Sequence, residues 1–138
     1  MYIRRFKHDD KTEVIALWRK CNLLRSWNDP EKDIERKLGD SPDLFLVGIL
    51  NGKISATAMG GYDGHRGWVN YLAVDPSARY SGQGKLIMNE VESRLRKKGC
   101  PKINIQIRSE NIEAVRFYEK IGYCHDDVVC VGKRLIAD

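Results

Sequence analysis

The residues best placed to do chemistry lie in Arg79-Tyr80-Ser81-Gly82-Gln83-Gly84. An apolar run, Tyr71-Leu72-Ala73-Val74, and then Asp75-Pro76 lead into this stretch. After it, Ile87, Val91 and Leu95 recur every four residues, which predicts an amphipathic helix. Glycine admits φ > 0 and lets a ligand reach the main chain with no Cβ in the way. A helix that begins here presents first-turn N–H groups without intrahelical partners, at the end where its macrodipole is positive. Such a turn suits a phosphate or pyrophosphate. It is not a Walker loop, because Gly84-Lys85 is followed by Leu86, and it lacks the third glycine of the dinucleotide fingerprint. On these residues alone, a strand-to-helix turn that binds nothing is an equally good reading.

Other reactive side chains are sparser. The four cysteines, Cys21, Cys100, Cys124 and Cys130, form no Cys-x-x-Cys pair and no ligand pattern with the three histidines. They read as reduced, mostly buried thiols, with no metal implied. Arg94, Arg96, Lys97, Lys98 and Lys102 make a local basic cluster within a net charge of +5. They interleave with Glu90, Glu92 and apolar positions, and no aromatic platform accompanies them, which argues against nucleic acid.

The elements that must position the glycine turn follow from periodicity and turn chemistry. A short strand is predicted over Tyr2 to Phe6. Val14, Leu17, Trp18 and Cys21 predict a helix from about Asp9 to Asn22. Asp29 is an N-cap ahead of Pro30, and the helix it opens ends at Gly39. Leu44 to Leu50 and Lys53 to Gly60 flank Asn51-Gly52, the pair favoured in two-residue hairpins. Asp63-Gly64 predicts a second hairpin into Trp68 to Val74. Lys102 to Ile107 alternates as a half-buried strand, a helix runs from Asn111 to Ile121, and Val128 to Leu135 is predicted to return as a closing strand. The order β-α-α-β-β-β-α-β-α-β describes an α/β (α+β) fold, a mixed sheet with helices on its faces.

At 138 residues the chain is the size of one domain, read here as spanning 1–138. Hydrophobic residues make up 42% and charged residues 31%, values outside the disordered and membrane classes. No apolar run approaches the ~20 residues of a membrane span and no signal-peptide core follows Met1, so a cytoplasmic protein is expected. Strand edges near the C-terminus leave a homodimer open.

Two segments carry a family resemblance. Val74-Asp75-Pro76 with Arg79-x-x-Gly82-x-Gly84 resembles the acyl-CoA motif of the GCN5-related N-acetyltransferase (GNAT) family. Asn111-x-x-Ala114-x-x-Phe117-Tyr118-x-x-Ile121-Gly122-Tyr123 resembles that family's other signature, in the same order. Within it, Gly60 to Gly67 and Leu24 to Pro30 look like the bacterial YpeA group.

The resemblance implies a mostly antiparallel sheet of about six to seven strands with about four helices on both faces. It implies an acetyl-CoA-dependent N-acetyltransferase acting on a primary amine, supplied by a small molecule or a peptide. Main-chain groups of Arg79, Tyr80, Ser81, Gly82, Gln83 and Gly84, with Lys85, would hold the pyrophosphate. Val74 would pair with the pantetheine arm, Leu72 N–H would face the thioester carbonyl, Tyr118 would be the general acid, and Asn111 would contact cofactor or cap its helix. Family members often carry a base where this chain has Trp68 and Asn70, neither of which takes a proton. Asp63, His65, Glu31 or water remain for that role. Tyr80 stands where glycine is common and Gln83 where an apolar residue is typical, so an obstructed phosphate turn is one expectation. A non-catalytic acyl-CoA-binding module of the same fold is the alternative reading.

Overall fold

The hairpin signals are realised as written. In the computed structural model, which describes residues 1–138, Asn51 and Gly52 both take φ > 0 and join β2 (Phe45–Leu50) to β3 (Lys53–Tyr62). The Asp63 to Arg66 turn then leads into β4 (Gly67–Val74). β1 (Tyr2–Arg5) pairs antiparallel with β2, and β5 (Ile103–Asn104) pairs parallel with β4, giving the sheet order β1-β2-β3-β4-β5.

The helices are α1 (Lys11–Lys20), α2 (Pro30–Leu38), α3 (Gln83–Lys97) and α4 (Ile112–Lys120). Asp29 caps α2 as its sequence predicts, accepting from Glu31 N at 2.9 Å and Lys32 N at 3.3 Å. α1 is shorter than its periodicity predicts because His8–Asp10 form a 3₁₀ turn ahead of it.

The chain divides into two compact units, Met1–Ile105 and Gln106–Asp138. In the first, Val14, Leu17 and Trp18 of α1 and Ile34 of α2 form one core with Phe6, Phe45, Val47, Ile54 and Met59. Ile87, Met88, Val91 and Leu95 of α3 are fully buried outside that cluster. Side chains alternate across a strand. Thr57 and Met59 turn to the α1 side, while Gly60 meets Val91 of α3, so helices cover both faces. The second unit holds α4 and the chain beyond it.

Two expectations need correction. The sheet has five strands where six to seven were expected, because no ladder reaches past Asn104. The strand expected over Lys102 to Ile107 pairs only at Ile103 and Asn104, and Val128 to Leu135 forms no strand. Val128, Val129, Val131 and Leu135 are all exposed. Their β-branched valines supply β-propensity, but a strand exists only through the partner that takes its main-chain hydrogen bonds.

Candidate active site

The glycine turn is built from Asp75 onward. Asp75 accepts from Ser77 N at 2.9 Å and Ser77 Oγ at 2.8 Å, closing a 3₁₀ turn over Pro76–Ala78. Tyr80 (φ 64°) and Gly82 (φ 85°) are both left-handed, and Ser81 Oγ donates to Ala78 O between them. Gly82 is the N-cap of α3. It supplies no side-chain cap, and no acidic residue occupies the first turn. α2 and α4, by contrast, are capped by Asp29 and Asn111. The start of α3 thus keeps its amides clear of side-chain acceptors and combines them with the positive end of a 15-residue helix. These residues fit a diphosphate. Tyr80 is 91% exposed, so its ring stands in solvent and does not fill the turn, contrary to the expected obstruction.

Gln83 and Arg79 use their side chains, and Val74 its carbonyl, within the protein. Gln83 is buried, and its Oε1 accepts from Ser55 Oγ at 2.5 Å, so its side chain anchors the helix start. Arg79 Nε donates to Val74 O at 3.2 Å, and Cys21 Sγ donates to the same carbonyl at 3.3 Å.

β4 carries the second feature. Asn70 faces Met59 and Ala73 faces Thr57, so Tyr71 and Leu72 together stand opposite the single residue Ala58. This is a β-bulge, with Tyr71 at φ 52°. Thr57 Oγ1 donates to Tyr71 O at 2.8 Å and accepts from Trp18 Nε1 at 2.9 Å. The Tyr71 ring stacks on Trp18 with centroids 3.8 Å apart, and its hydroxyl donates to Asp33 Oδ2 at 2.6 Å. The parallel ladder to β5 covers only Gly67 with Ile103 and Trp68 with Asn104. From Val69 onward β4 has no partner strand on that side, which leaves an edge an extended ligand can follow.

In the second unit, Asn111 Oδ1 accepts from Ala114 N at 3.1 Å, which makes it the N-cap of α4. Tyr118 is buried, with edge-on contacts to Phe117 and Tyr123. Burial pushes its phenol well above the usual tyrosine range, so the hydroxyl stays protonated at neutral pH.

The three side chains expected as bases sit in ordinary surroundings. Asp63 caps its turn, accepting from His65 N at 2.8 Å, Arg66 N at 2.7 Å and Trp68 Nε1 at 3.3 Å. The Arg66 and His65 amides hold its carboxyl below the usual range, which weakens it as a proton acceptor. His65 and Glu31 are exposed. Sequence reasoning missed the Trp18, Thr57, Tyr71 and Asp33 group. One signal existed: a buried indole N–H needs an acceptor, and Thr57 is a polar residue inside an apolar strand.

The model of the acetyltransferase (GNAT) family matches residues 11–123, the stretch that holds both the glycine turn and α4. This chain belongs to the GNAT acetyltransferase family. It is an acetyltransferase, and acetyl-CoA is the family's acyl donor. This GNAT chain is 51% identical over 139 residues to an acetyltransferase of Sodalis glossinidius (strain morsitans), covering 100% of this chain and 98% of that one. It is 51% identical over 138 residues to an uncharacterised N-acetyltransferase of Yersinia pestis, with the same coverage. Among solved structures it resembles AAC(6')-Iy in complex with the bisubstrate analogue CoA-S-monomethyl-acetylneamine. The TM-score is 0.78 at 19% identity, covering 97% of this chain and 98% of that one. At that identity the likeness concerns the fold.

Proposed function

We propose that this GNAT protein transfers the acetyl group of acetyl-CoA to the primary amine of a small molecule or peptide by direct attack. The observation that carries the reading is the start of α3, where two left-handed residues expose first-turn amides that no side chain caps. Main-chain groups of Arg79 to Gly84, with Lys85, hold the diphosphate, and the edge of β4 that has no partner strand receives the pantetheine arm near Val74. The complex of AAC(6')-Iy with a CoA-derived analogue supports the fold's capacity for such a ligand.

In this reading the amine nitrogen attacks the thioester carbon and the carbonyl becomes an oxyanion, which Leu72 N–H stabilises. One fixed donor of this kind is worth roughly 2.7–4 kcal/mol. The C–S bond then breaks, the leaving thiolate takes the phenolic proton of Tyr118, and water returns a proton to the phenolate. The amine's proton leaves to water, since β4 carries no ionisable side chain at Trp68 or Asn70 and Asp63 is committed to its turn. Deprotonating a lysine-type amine at pH 7 costs about 4.6 kcal/mol and an α-amine only about 1.4 kcal/mol. Acceptors with low-pKa amines are therefore favoured.

Thiol release from acetyl-CoA, followed with polyamines, aminoglycosides, amino acids and peptides with free N-termini, tests this. Saturable release with at least one amine is expected, faster at neutral pH for α-amines than for lysine-type amines. CoA binding without turnover of any amine would replace the reading with that of a binding module.

A further inference from the structure

A peptide unit is planar and trans, so the C=O of one residue and the N–H of the next point in opposite directions within one rigid plane. Whatever fixes Tyr71 O therefore fixes Leu72 N–H. Thr57 Oγ1 holds that carbonyl at 2.8 Å. The donor order in this chain of bonds is set by chemistry: the indole N–H of Trp18 can only donate and a carbonyl can only accept, so the Thr57 hydroxyl accepts from Trp18 and donates to Tyr71. Trp18 and Thr57 are both fully buried, so no water competes for either bond.

The same tyrosine is held at its side chain. The Trp18 stack at 3.8 Å and the Asp33 hydrogen bond at 2.6 Å keep its ring in place. Tyr71 adopts φ 52°, a conformation uncommon for a bulky residue, which persists when the surroundings over-determine it. With Tyr71 O turned toward the Thr57 hydroxyl, the trans peptide turns Leu72 N–H the opposite way, and β4 has no partner strand beyond Trp68 on the edge away from β3.

We infer that Thr57 and Trp18 are positioning residues for acetyl transfer: a buried indole-to-hydroxyl-to-carbonyl relay orients the Tyr71–Leu72 peptide so that its N–H serves the thioester oxygen. This rests on the proposed role of Leu72 N–H as the oxyanion donor. Neither side chain touches the substrate. Their effect is on rate and on polarisation of the carbonyl, while the diphosphate turn is left alone.

The test compares the wild type with Thr57→Val, Thr57→Ser and the double variant Trp18→Phe/Thr57→Val, which removes the indole donor that the single valine would strand in the core. Three quantities are read: the rate of thiol release from acetyl-CoA with water as acceptor, the dissociation constant of CoA by calorimetry, and the infrared carbonyl frequency of bound ¹³C-acetyl-CoA. A single oxyanion donor contributes about 10²–10³ in rate, so Thr57→Val is expected to lose about tenfold or more. Its CoA affinity should stay within about twofold, and the red shift of the bound carbonyl should shrink. Thr57→Ser should restore both rate and shift, and the double variant should behave as the valine variant does. A wild-type carbonyl with no red shift overturns the underlying reading of Leu72. A red shift present in wild type and retained in Thr57→Val overturns the relay alone, as does a parallel loss of CoA affinity and rate.

Discussion

Ser55 Oγ donates to Gln83 Oε1 at 2.5 Å, with both residues buried. Ser55 is the extra residue of a bulge in β3, where Ile54 faces Ile49 and Ala56 faces Gly48, and its own carbonyl accepts from Asp75 N at 2.8 Å. One residue of the sheet thus anchors both ends of the glycine turn, the entry at Asp75 and the helix start at Gln83. Ser55→Ala strands a buried amide oxygen, at a cost of about 1–3 kcal/mol, whereas replacing both partners with apolar groups is close to neutral. Chemical denaturation should show Ser55→Ala less stable than Ser55→Ala/Gln83→Leu. Both should raise KM for acetyl-CoA, because the turn loses its tether.

Substitutions at Gly82 separate strain from blockage. No heavy atom lies within 4 Å of the position a Cβ would take, so Gly82→Ala meets only the penalty of φ 85°. A loss of about 1 kcal/mol is expected, with CoA still bound. Gly82→Trp places a large ring beside the amides. Calorimetry should show CoA binding abolished, with thermal stability similar to that of the alanine variant.

Tyr118→Phe tests the proposed general acid. A positioned proton donor contributes about 10²–10⁴-fold, so kcat should fall at least a hundredfold with KM for acetyl-CoA little changed. Because burial raises the phenol's pKa, the wild-type rate should show no decline from phenol ionisation near pH 10. The linked stability follows the same sign. It is fully present below the unfolded tyrosine's pKa of about 10 and is lost as pH rises through the folded value. Alkaline melting curves of the wild type should therefore fall above about pH 10 more steeply than those of Tyr118→Phe.

Acid stability should depend on Asp10. Arg4 grips its carboxylate with both terminal nitrogens, at 2.8 and 3.0 Å, and Lys7 N adds a third bond at 2.8 Å. Burial pushes this carboxyl up, but the Arg4 and Lys7 hydrogen bonds outweigh it and hold the group below the usual range. That stability is present above the unfolded pKa of about 3.9 and is lost as pH falls through the lower folded value. Arg4→Met removes the main opposing interaction. Circular dichroism against pH should show its acid transition moved to higher pH.

The close approach of β4 to its neighbours gives a packing test. A Cβ on Gly67 would lie 2.8 Å from Cys100 Sγ, 3.1 Å from Leu95 Cδ1 and 3.2 Å from Ile103 Cγ1. Gly67→Ala should lose about 1–3 kcal/mol by overpacking. Cys100→Ala in the same chain should recover part of it, as measured by the denaturation midpoint.

Local signals made most of the fold legible. Asp29-Pro30, Asn51-Gly52 and the Gly82 turn each specify their own backbone within a few residues, and each appears where those residues place it. The glycine turn was legible for the same reason, since its chemistry is that of consecutive amides. Strands that need distant partners were not. Val128 to Leu135 has the valine content of a strand but joins no ladder, and the bulge at Tyr71 depends on a register that no short window encodes.

The amino-acid order by itself determined the family, the glycine turn and the helix that follows it, because left-handed residues, caps and apolar periodicity act over a few positions. Only the tertiary structure decided how Trp18, Thr57 and Tyr71 meet. They come from a helix and two strands, and their hydrogen bonds form only when packing removes water from all three at once.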